Sequence, residues 1–347
     1  MALIHLDFPS GQTGLYGTTV SYMGDGLYTD RSMSLVEDPD PNVTGNVLRF
    51  HQNESMRFVL PSAQNVVGIG GRFWFSSFEA VNAHKIMTFK NSAAANHIVI
   101  VADINGYIRV LRDATEIGAS ASPSVVPGAW QHIEAKALIS DTVGTVEVRV
   151  EGVVAVNITG ADTRNGGVDA NVYSVGTSYD SNPSSVPFYI KDWILWNGSG
   201  TQNNDFLGSI SVYELLTSSD VTFPWAASTG TTGWNLLDES PPNDDTDYIY
   251  AVDPAPAASK FGLTNLPADV TTVKGLYAVV RSKKTDGGDG SLQVGMVSGA
   301  STGLGSDRPI TTAYTYWTDM FEVDPATAAA WLPSAVDAAQ IQLDRTV

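Results

Sequence analysis

From residue 45 to residue 216, short apolar-patterned runs alternate with turn clusters, and this pattern constrains the fold more than any other feature. In its clearest stretch, Thr145–Val150, valines alternate with charged residues. Successive side chains of a strand point to opposite faces of a sheet, so a period of two buries one face and leaves the other in water. A Glu-Gly turn then leads into a partner strand. The pattern predicts antiparallel sheets stacked around a core.

Composition agrees with an all-β fold. The chain has 347 residues, of which 43% are hydrophobic, and that is enough for two cored domains. Only 16% are charged, while Gly, Ser, Thr and Asn supply much of the polar surface, as the many turns of β proteins require. There is no cysteine, which excludes disulfides, thiolate nucleophiles and cysteine-ligated zinc.

The alternation predicts a series of strands and a domain boundary. Strands are expected in the first part at Val47–Phe50, Met56–Leu60, Val66–Phe78, Ile86–Lys90, His97–Ala102, Tyr107–Leu111, Gln131–Ser140, Thr145–Val150, Val153–Ile158, Val172–Thr177, Phe188–Trp196 and Gly208–Leu216. The pattern breaks over Ser218–Ser240, which is rich in Ser, Thr, Gly and Pro and reads as a connection. We therefore expect a first domain at 1–217 and a second, smaller β-domain at 218–347.

The second domain is also predicted to be rich in sheet. Its expected strands are Asp247–Val252, Ala258–Leu263, Val270–Ser282, Ser291–Ser298 and Tyr314–Val323. Near the end the period changes, and proline close to a first helical position predicts short helical turns at Pro325–Trp331 and Pro333–Ala339.

The charge balance restricts the partners. Lys and Arg total 19 against 37 Asp and Glu, which gives a formal net charge of −18. A surface field of this sign repels phosphate backbones and anionic membranes, so binding to nucleic acid is not expected. No run approaches the roughly 18 apolar residues of a membrane helix, and the stretch MALIHLDFPSG shows neither a basic n-region nor an apolar h-region of adequate length. We expect no membrane insertion, and folding in the cytoplasm where the chain is made.

Several motifs occur in a familiar order. GRFWFSSF is followed by a strand that opens W-x-H-aliphatic at Trp130, by a hairpin ending V-x-V-x-G, and by NDFLG. Together with the opening MALIHLDF, this order resembles the laminin-G/concanavalin-A-like domains of tailed-bacteriophage virion proteins over residues 1–216. After residue 218, the order W-N-x-x-D-E, L-P, R-x-K-x-D-x-G and F-E-x-D-P resembles a carboxy-terminal domain that recurs in phage structural proteins.

The resemblance implies a fold and a role. The fold would be a concanavalin-A-like jelly-roll sandwich followed by a smaller β-sandwich-like domain. The role would be that of a non-enzymatic tail, fibre or head-surface decoration component of a phage virion, assembled in the host cytoplasm. Its partners would be other virion proteins and further copies of itself, and it would require no cofactor. A carbohydrate-binding adhesin for host surface glycans is the alternative, and a glycan depolymerase is a third, less favoured one.

The carboxylates argue against hydrolysis. Sandwich glucanases share a strand motif E-x-D-x-x-E, and no such string occurs here. The nearest pair, Glu147 and Glu151, is separated by four strand residues, or about 13 Å at ~3.3 Å per residue. A retaining pair requires about 5–5.5 Å and an inverting pair about 6.5–9.5 Å. No catalytic residue is therefore predicted.

Calcium is the cation that the sequence favours. Asp244, Asp245 and Asp247 offer hard oxygen ligands at close spacing, although the Gly and final Glu of an EF-hand are absent. Further acidic candidates are Asp286 and Asp289 in one turn, and Asp25, Asp30, Asp103 and Asp205, which would converge at a sandwich rim. The histidines His5, His51, His84, His97 and His132 show no zinc-ligand spacing and are interpreted as strand residues.

The tryptophans are the remaining signal, because exposed indoles stack on sugars or mark protein interfaces. Trp193 and Trp196 have opposite parity in the strand Phe188–Trp196, so one of them should point away from the core unless both faces of the sheet are covered. These two residues are the predicted interface or glycan-binding residues.

Overall fold

The chain divides into two compact units, Met1–Val212 and Tyr213–Val347. This computed structural model describes residues 3–7, 28–32, 34–42, 46–50, 55–78, 84–166, 170–178, 186–240, 242–252 and 256–346. The domain boundary predicted from the sequence, between residues 217 and 218, lies just beyond the division between the units.

The first unit is a sandwich of two antiparallel sheets. Sheet 1 has the strand order β13-β12-β11-β6-β15-β4-β3, and β1 also pairs with β15. Its strands are β1 (Leu3–Asp7), β3 (Ser34–Glu37), β4 (Asn46–Phe50), β6 (Val66–Phe75), β11 (Trp130–Leu138), β12 (Gly144–Val150), β13 (Val153–Ala161) and β15 (Phe188–Asn197).

Sheet 2 faces sheet 1 across the core. Its order is β10-β9-β8-β7-β14-β5-β2, so strands that are distant in sequence lie side by side, as in a jelly roll. Its strands are β2 (Tyr28–Ser32), β5 (Ser55–Gln64), β7 (His84–Lys90), β8 (Asn96–Ala102), β9 (Ile108–Arg112), β10 (Thr115–Ala119) and β14 (Val172–Ser178). Alternate residues of both sheets form one buried cluster, which includes Phe73, Phe89, Ile100, Val148 and Phe188. The predicted all-β sandwich is confirmed.

The second unit has its own core and its own sheets. Five strands pair in the order β16-β19-β24-β21-β22, and two further pairs are β17 with β18 and β20 with β23. The elements are β16 (Thr217–Thr222), β17 (Ala226–Ala227), the 3-10 helix Trp234–Leu236, β18 (Ile249–Tyr250), β19 (Ser259–Leu263), β20 (Leu276–Ser282), β21 (Ser291–Ser298), β22 (Ser301–Pro309), β23 (Thr315–Phe321), α1 (Pro333–Asp337) and β24 (Gln340–Arg345). Phe261, Trp331 and Val336 are at the centre of its core.

Some predicted elements are wrong. The strand expected at Gly208–Leu216 does not form, although apolar and polar residues alternate there. Pro325–Trp331 contains turns and a bridge but no helix, whereas the helical turn expected from Pro333 is confirmed by α1. β22, Ser301–Pro309, follows the turn at Gly299 and lies in a stretch where the sequence pattern predicts no strand. Among the described residues no helix is long and apolar enough to cross a membrane.

Candidate functional site

A row of large side chains crosses the outer face of sheet 1. Trp130 of β11 is directly opposite Trp74 of β6, Trp74 is opposite Tyr189 of β15, and Tyr189 is opposite Arg49 of β4. All four side chains are partly exposed. The two indole rings lie 5.9 Å apart at 59°, a tilted arrangement that aromatic pairs favour. We call Trp74, Trp130 and Tyr189 the aromatic face.

A buried ion pair anchors this face. Trp130 Nε1 donates a hydrogen bond to Asp38 Oδ1 at 2.9 Å, and Lys191 Nζ donates to Asp38 Oδ2 at 2.9 Å. The same ammonium lies 4.1 Å from the centre of a Trp130 ring. The side chains of Lys191 and Asp38 are 9% and 1% exposed, so their attraction is little screened by water. The Trp130 ring is therefore fixed in position before any ligand arrives.

A second row, made of polar side chains, lies beside the aromatic face. Lys191, Arg72 and His132 are cross-strand neighbours on β15, β6 and β11. Arg72 Nε lies 3.2 Å from Asp192 Oδ2, in a bulge where Asp192 adopts a φ of 55°. Burial raises the pKa of Asp192 to about 6, while the amide of Val212 and the charge of Arg72 oppose that rise.

His132 is a buried polar side chain of this face whose ring makes no hydrogen bond. It is 1% exposed, and neither ring nitrogen has a hydrogen-bond partner. Burial, with the charge of Arg72 as a second cause, lowers the pKa of His132 to about 4. The imidazole is therefore neutral at physiological pH.

The rest of the outer face is covered by the segment 198–212, which we call the strap. Glu134 of β11 is fully buried and accepts hydrogen bonds from the amides of Leu207 and Gly208, at 2.9 and 3.0 Å. Asp192 Oδ1 accepts the amide of Val212 at 2.9 Å. The strap is thus attached through side-chain carboxylates instead of a strand ladder, which explains why its alternating sequence does not form a strand.

The strap also covers Trp196. The indole lies against Phe206, with ring centres 6.3 Å apart, and occupies the space that the missing side chain of Gly68 leaves open. Trp193 faces the other way, into the core. The parity prediction is confirmed, but both indoles are 0% exposed. The assignment of Trp193 and Trp196 as interface or glycan-binding residues is therefore wrong, because the covering segment leaves neither ring accessible.

Two of the three predicted calcium ligands of the second unit face cations. Asp244 forms an ion pair with Arg281, and Asp245 pairs with Lys283 at 2.5 Å. Asp247 interacts with Glu239 instead: burial raises the pKa of Glu239, and the charge of Asp247 and a hydrogen bond with it add to the rise. Across the described residues no group of three His, Asp or Glu side chains is arranged to hold a metal ion. Calcium binding stays a prediction.

The other acidic candidates have separate partners. Asp103 accepts the amides of Asn105 and Tyr107 and pairs with Arg109, whereas Asp205 pairs with Lys136. Asp286 caps the amide of Gly288 within its turn, and Asp289 is exposed. Asp25 and the side chain of Asp30 lie outside the described residues.

The glutamates and histidines mostly have structural surroundings. Glu147 pairs with Arg149 at 2.6 Å, and Glu151 accepts the amide of His132 from the turn after β12. His84 is packed among phenylalanines, and His97 contacts the backbone of Asn165 and Asn171. His51 and the side chain of His5 lie outside the described residues.

Sequence reasoning missed Tyr189 and the grouping of the aromatic face. The signal was present: GRFWF and FYIK each place a large polar or aromatic residue at every second position of an otherwise apolar strand. Parity alone assigns those positions to the outer face. The strand register that places Trp130, Trp74 and Tyr189 side by side pairs residues that are far apart in sequence, and no local pattern predicts it.

Comparison with known proteins finds no matching family model and no matching curated protein. Among solved structures, an endo-β-1,4-glucuronan lyase from the fungus Trichoderma reesei is 12% identical, with 55% of this chain and 94% of that chain covered and a TM-score of 0.37. The alginate lyase Aly36B is 11% identical, with coverages of 55% and 96% and a TM-score of 0.37. The carbohydrate-binding module CBM66 from Bacillus subtilis is 6% identical, with coverages of 49% and 96% and a TM-score of 0.33. Likeness at this level fixes neither activity nor ligand.

Proposed function

We propose that this chain is a non-enzymatic carbohydrate-binding protein whose first unit holds sugar on the aromatic face. The observation that carries the proposal is the row of Trp130, Trp74 and Tyr189, which are adjacent across three strands and partly exposed. Soluble proteins place large aromatic side chains together at the surface mainly where they bind something.

The chemistry of the row fits a sugar. A pyranose ring has an apolar C–H face that packs on an indole or a phenol, and a rim of hydroxyls that needs hydrogen-bond partners. Arg49 and Arg72 lie next to the aromatic rings and carry several N–H donors each. Because Asp38 and Lys191 hold the Trp130 ring in place, little side-chain freedom is lost when a ligand stacks on it.

The carboxylates of this face support binding without hydrolysis. Glu134 uses both oxygens on strap amides, Asp38 binds Lys191 and Trp130, and Asp192 binds Arg72 and Val212. Glycoside hydrolysis requires one carboxyl group to protonate the leaving oxygen and a second to act as base or nucleophile. These three groups are all engaged in holding the structure.

A glycan array tests the proposal. The wild-type chain should bind a defined set of glycans, and Trp74→Ala and Tyr189→Ala should each weaken that binding at least tenfold. Tyr250→Ala, which removes an exposed aromatic ring from the second unit, is the matched control and should bind as wild type. Binding that survives both first-unit changes would place the site elsewhere, and release of reducing sugar by the wild type would contradict the non-enzymatic part.

A structural role in a tailed-phage virion is a second candidate. It is supported by the two ordered sets of motifs described above, one in each part of the sequence, and it is compatible with sugar binding on the particle surface. Mass spectrometry of purified, dissected phage particles tests it. The chain should be found in stoichiometric amount in one substructure, and its absence from the particles would exclude the role.

A further inference from the structure

The loop that follows β3, residues 38–42, lies beside the aromatic face. In the order of sheet 1, β3 is four strands away from β11. Asp38 at the start of the loop nevertheless accepts a hydrogen bond from Trp130 Nε1 of β11 and another from Lys191 Nζ of β15. The loop therefore crosses the outer face of the sheet and borders the aromatic face at Trp130. We call residues 38–42 the acidic loop.

The sequence of the acidic loop, DPDPN, restricts its flexibility. Pro39 and Pro41 fix two of its φ angles. The amide of Asp40 donates to Asp38 Oδ1 at 2.9 Å, and the amide and the side chain of Asn42 donate to Asp40 Oδ1 at 3.0 and 2.9 Å. The Asp40 carboxylate is thus held in a defined position, so little freedom is lost when a ligand binds to it.

The two carboxylates of the acidic loop differ in what they can still bind. The side chain of Asp38 is 1% exposed, and both of its oxygens accept hydrogen bonds from the protein. Asp40 is partly exposed, and the hydrogen bonds that it accepts from described residues all end on Oδ1. The hydrogen bonds from Asn42 lower the pKa of Asp40, and the charge of Lys191 adds to this effect, whereas burial opposes it. Asp40 Oδ2 is therefore a charged acceptor for a ligand.

We propose that the aromatic face binds neutral sugars and that Asp40 is its specificity-determining residue, with Oδ2 accepting a hydroxyl of the sugar that stacks on Trp130. The inference rests on the proposed function, because it names the class of ligand for the same site. The hydroxyls of a neutral pyranose donate charge-assisted hydrogen bonds to a carboxylate. A uronic acid or a sulfated sugar brings a second negative charge to the same place, and the two charges repel each other.

The other charges of this face favour the same class of ligand. Lys191 and Arg72 each pair with a carboxylate of the protein, so neither offers an unpaired cation to an acidic sugar. Arg49 lies at the other end of the aromatic row, three strands from Trp130, so the Trp130 end keeps the unbalanced charge of Asp40. The net charge of −18 adds a field that disfavours polyanions.

Oligosaccharides that differ only at carbon 6 test the inference. The probes are cello-, manno- and galactotetraose, each in its neutral form and with every C6 hydroxymethyl group oxidised to a carboxylate. We expect wild type to bind the neutral member of at least one pair about tenfold more tightly than the oxidised member at low salt. Because salt screens the repulsion, this ratio of Kd values should shrink as the salt concentration rises. Isothermal titration calorimetry measures each Kd.

Substitution of Asp40 should change this preference without unfolding the chain. Asp40→Asn keeps the size of the side chain and one acceptor oxygen but removes the charge. Binding of the neutral sugar should weaken about tenfold, as expected for the loss of a hydrogen bond to a charged acceptor, and binding of the oxidised sugar should strengthen. A merely structural role would weaken both. Asp269→Asn, which removes an exposed carboxylate from a turn of the second unit, is the matched control and should keep the wild-type ratio.

Three results would overturn the inference: an oxidised sugar that binds as tightly as its neutral partner, an unchanged ratio in Asp40→Asn, or no binding of any of the six probes. Trp74→Ala separates these results from failure of the proposed function. If Trp74→Ala abolishes binding while the oxidised sugars are preferred, the aromatic face is the site and only its specificity is wrong. If binding is the same in Trp74→Ala and wild type, both proposals fail.

Discussion

At the scale of single residues, His132 and Asp192 give sheet 1 two opposing pH dependences. The pKa of His132 is about 4 in the folded chain, against an ordinary value of 6.5, because burial disfavours the imidazolium. A lowered folded pKa contributes stability that is complete above pH 6.5 and is lost as the pH falls towards 4. The linkage amounts to about 3 kcal/mol, at ~1.36 kcal/mol per pKa unit.

Replacement of His132 tests this expectation. Between pH 7 and pH 4.5, the free energy of unfolding of His132→Leu should rise relative to that of wild type, as measured by urea titration. Asp192 works in the opposite direction, because its raised pKa gives stability that is present below pH 3.8 and lost as the pH rises through about 6. The Leu variant should therefore reveal the Asp192 slope. Parallel pH profiles for variant and wild type would contradict the account.

The Asp38–Lys191 pair should show strong coupling. Lys191→Met leaves the Asp38 carboxylate buried with the Trp130 indole and the Asp40 amide as its remaining partners, and should cost about 3–5 kcal/mol of unfolding free energy. The double variant Asp38→Leu/Lys191→Met removes both charges and should recover most of that loss. A double-mutant cycle by urea unfolding measures the coupling, and additive single effects would show that the pair is not desolvated as described.

At the scale of elements, the strap should depend on Glu134. Glu134→Gln keeps the size of the side chain but replaces one of two acceptor oxygens with a carboxamide NH2 group, which only donates, so one of the Leu207 and Gly208 amides loses its partner. We expect hydrogen-exchange protection of these two amides to fall about tenfold or more, which corresponds to about 1.5 kcal/mol for a bond to a charged acceptor. Glu147→Gln on β12 is the control and should change neither amide. Unaltered protection would mean that the strap is held by packing alone.

Local patterns predicted most of the strands but not what covers them. The alternation in β12 and the aromatic run of β15 locate both elements, because period and residue type report burial directly. Residues 206–216 alternate in the same way but form no strand. The amides of Leu207, Gly208 and Val212 donate to the side-chain carboxylates of Glu134 and Asp192 instead of to the backbone of a neighbouring strand. The sequence pattern does not predict β22, because its residues, STGLGSDRP, form no alternating apolar face.

The candidate site was predictable only in part. Parity predicted that one of Trp193 and Trp196 lies on the outer face, but the burial of Trp196 there depends on its contact with Phe206 of the strap, which parity does not predict. The aromatic face needed the register of three strands. For Asp244 and Asp245, spacing suggested an ion site, and the actual partners are Arg281 and Lys283, nearly forty residues further on.

At the scale of the whole molecule, the first unit presents an aromatic outer face on sheet 1 in a strongly acidic chain. A buried ion pair holds the Trp130 ring of this face. The face follows from the period-two pattern, which commits one side of every strand to the core and leaves the other side free to carry function.

Nuclear magnetic resonance of the indole N–H groups tests the central claim most directly. The spectrum is recorded while the glycan selected on the array is added, and each indole signal is assigned with a single Trp→Phe variant. We predict that the signals of Trp74 and Trp130 shift, while those of the buried Trp193, Trp196 and Trp331 stay in place. Shifts confined to Trp225, Trp234 or Trp317 of the second unit, or no shift at saturating glycan, would contradict sugar binding on the aromatic face.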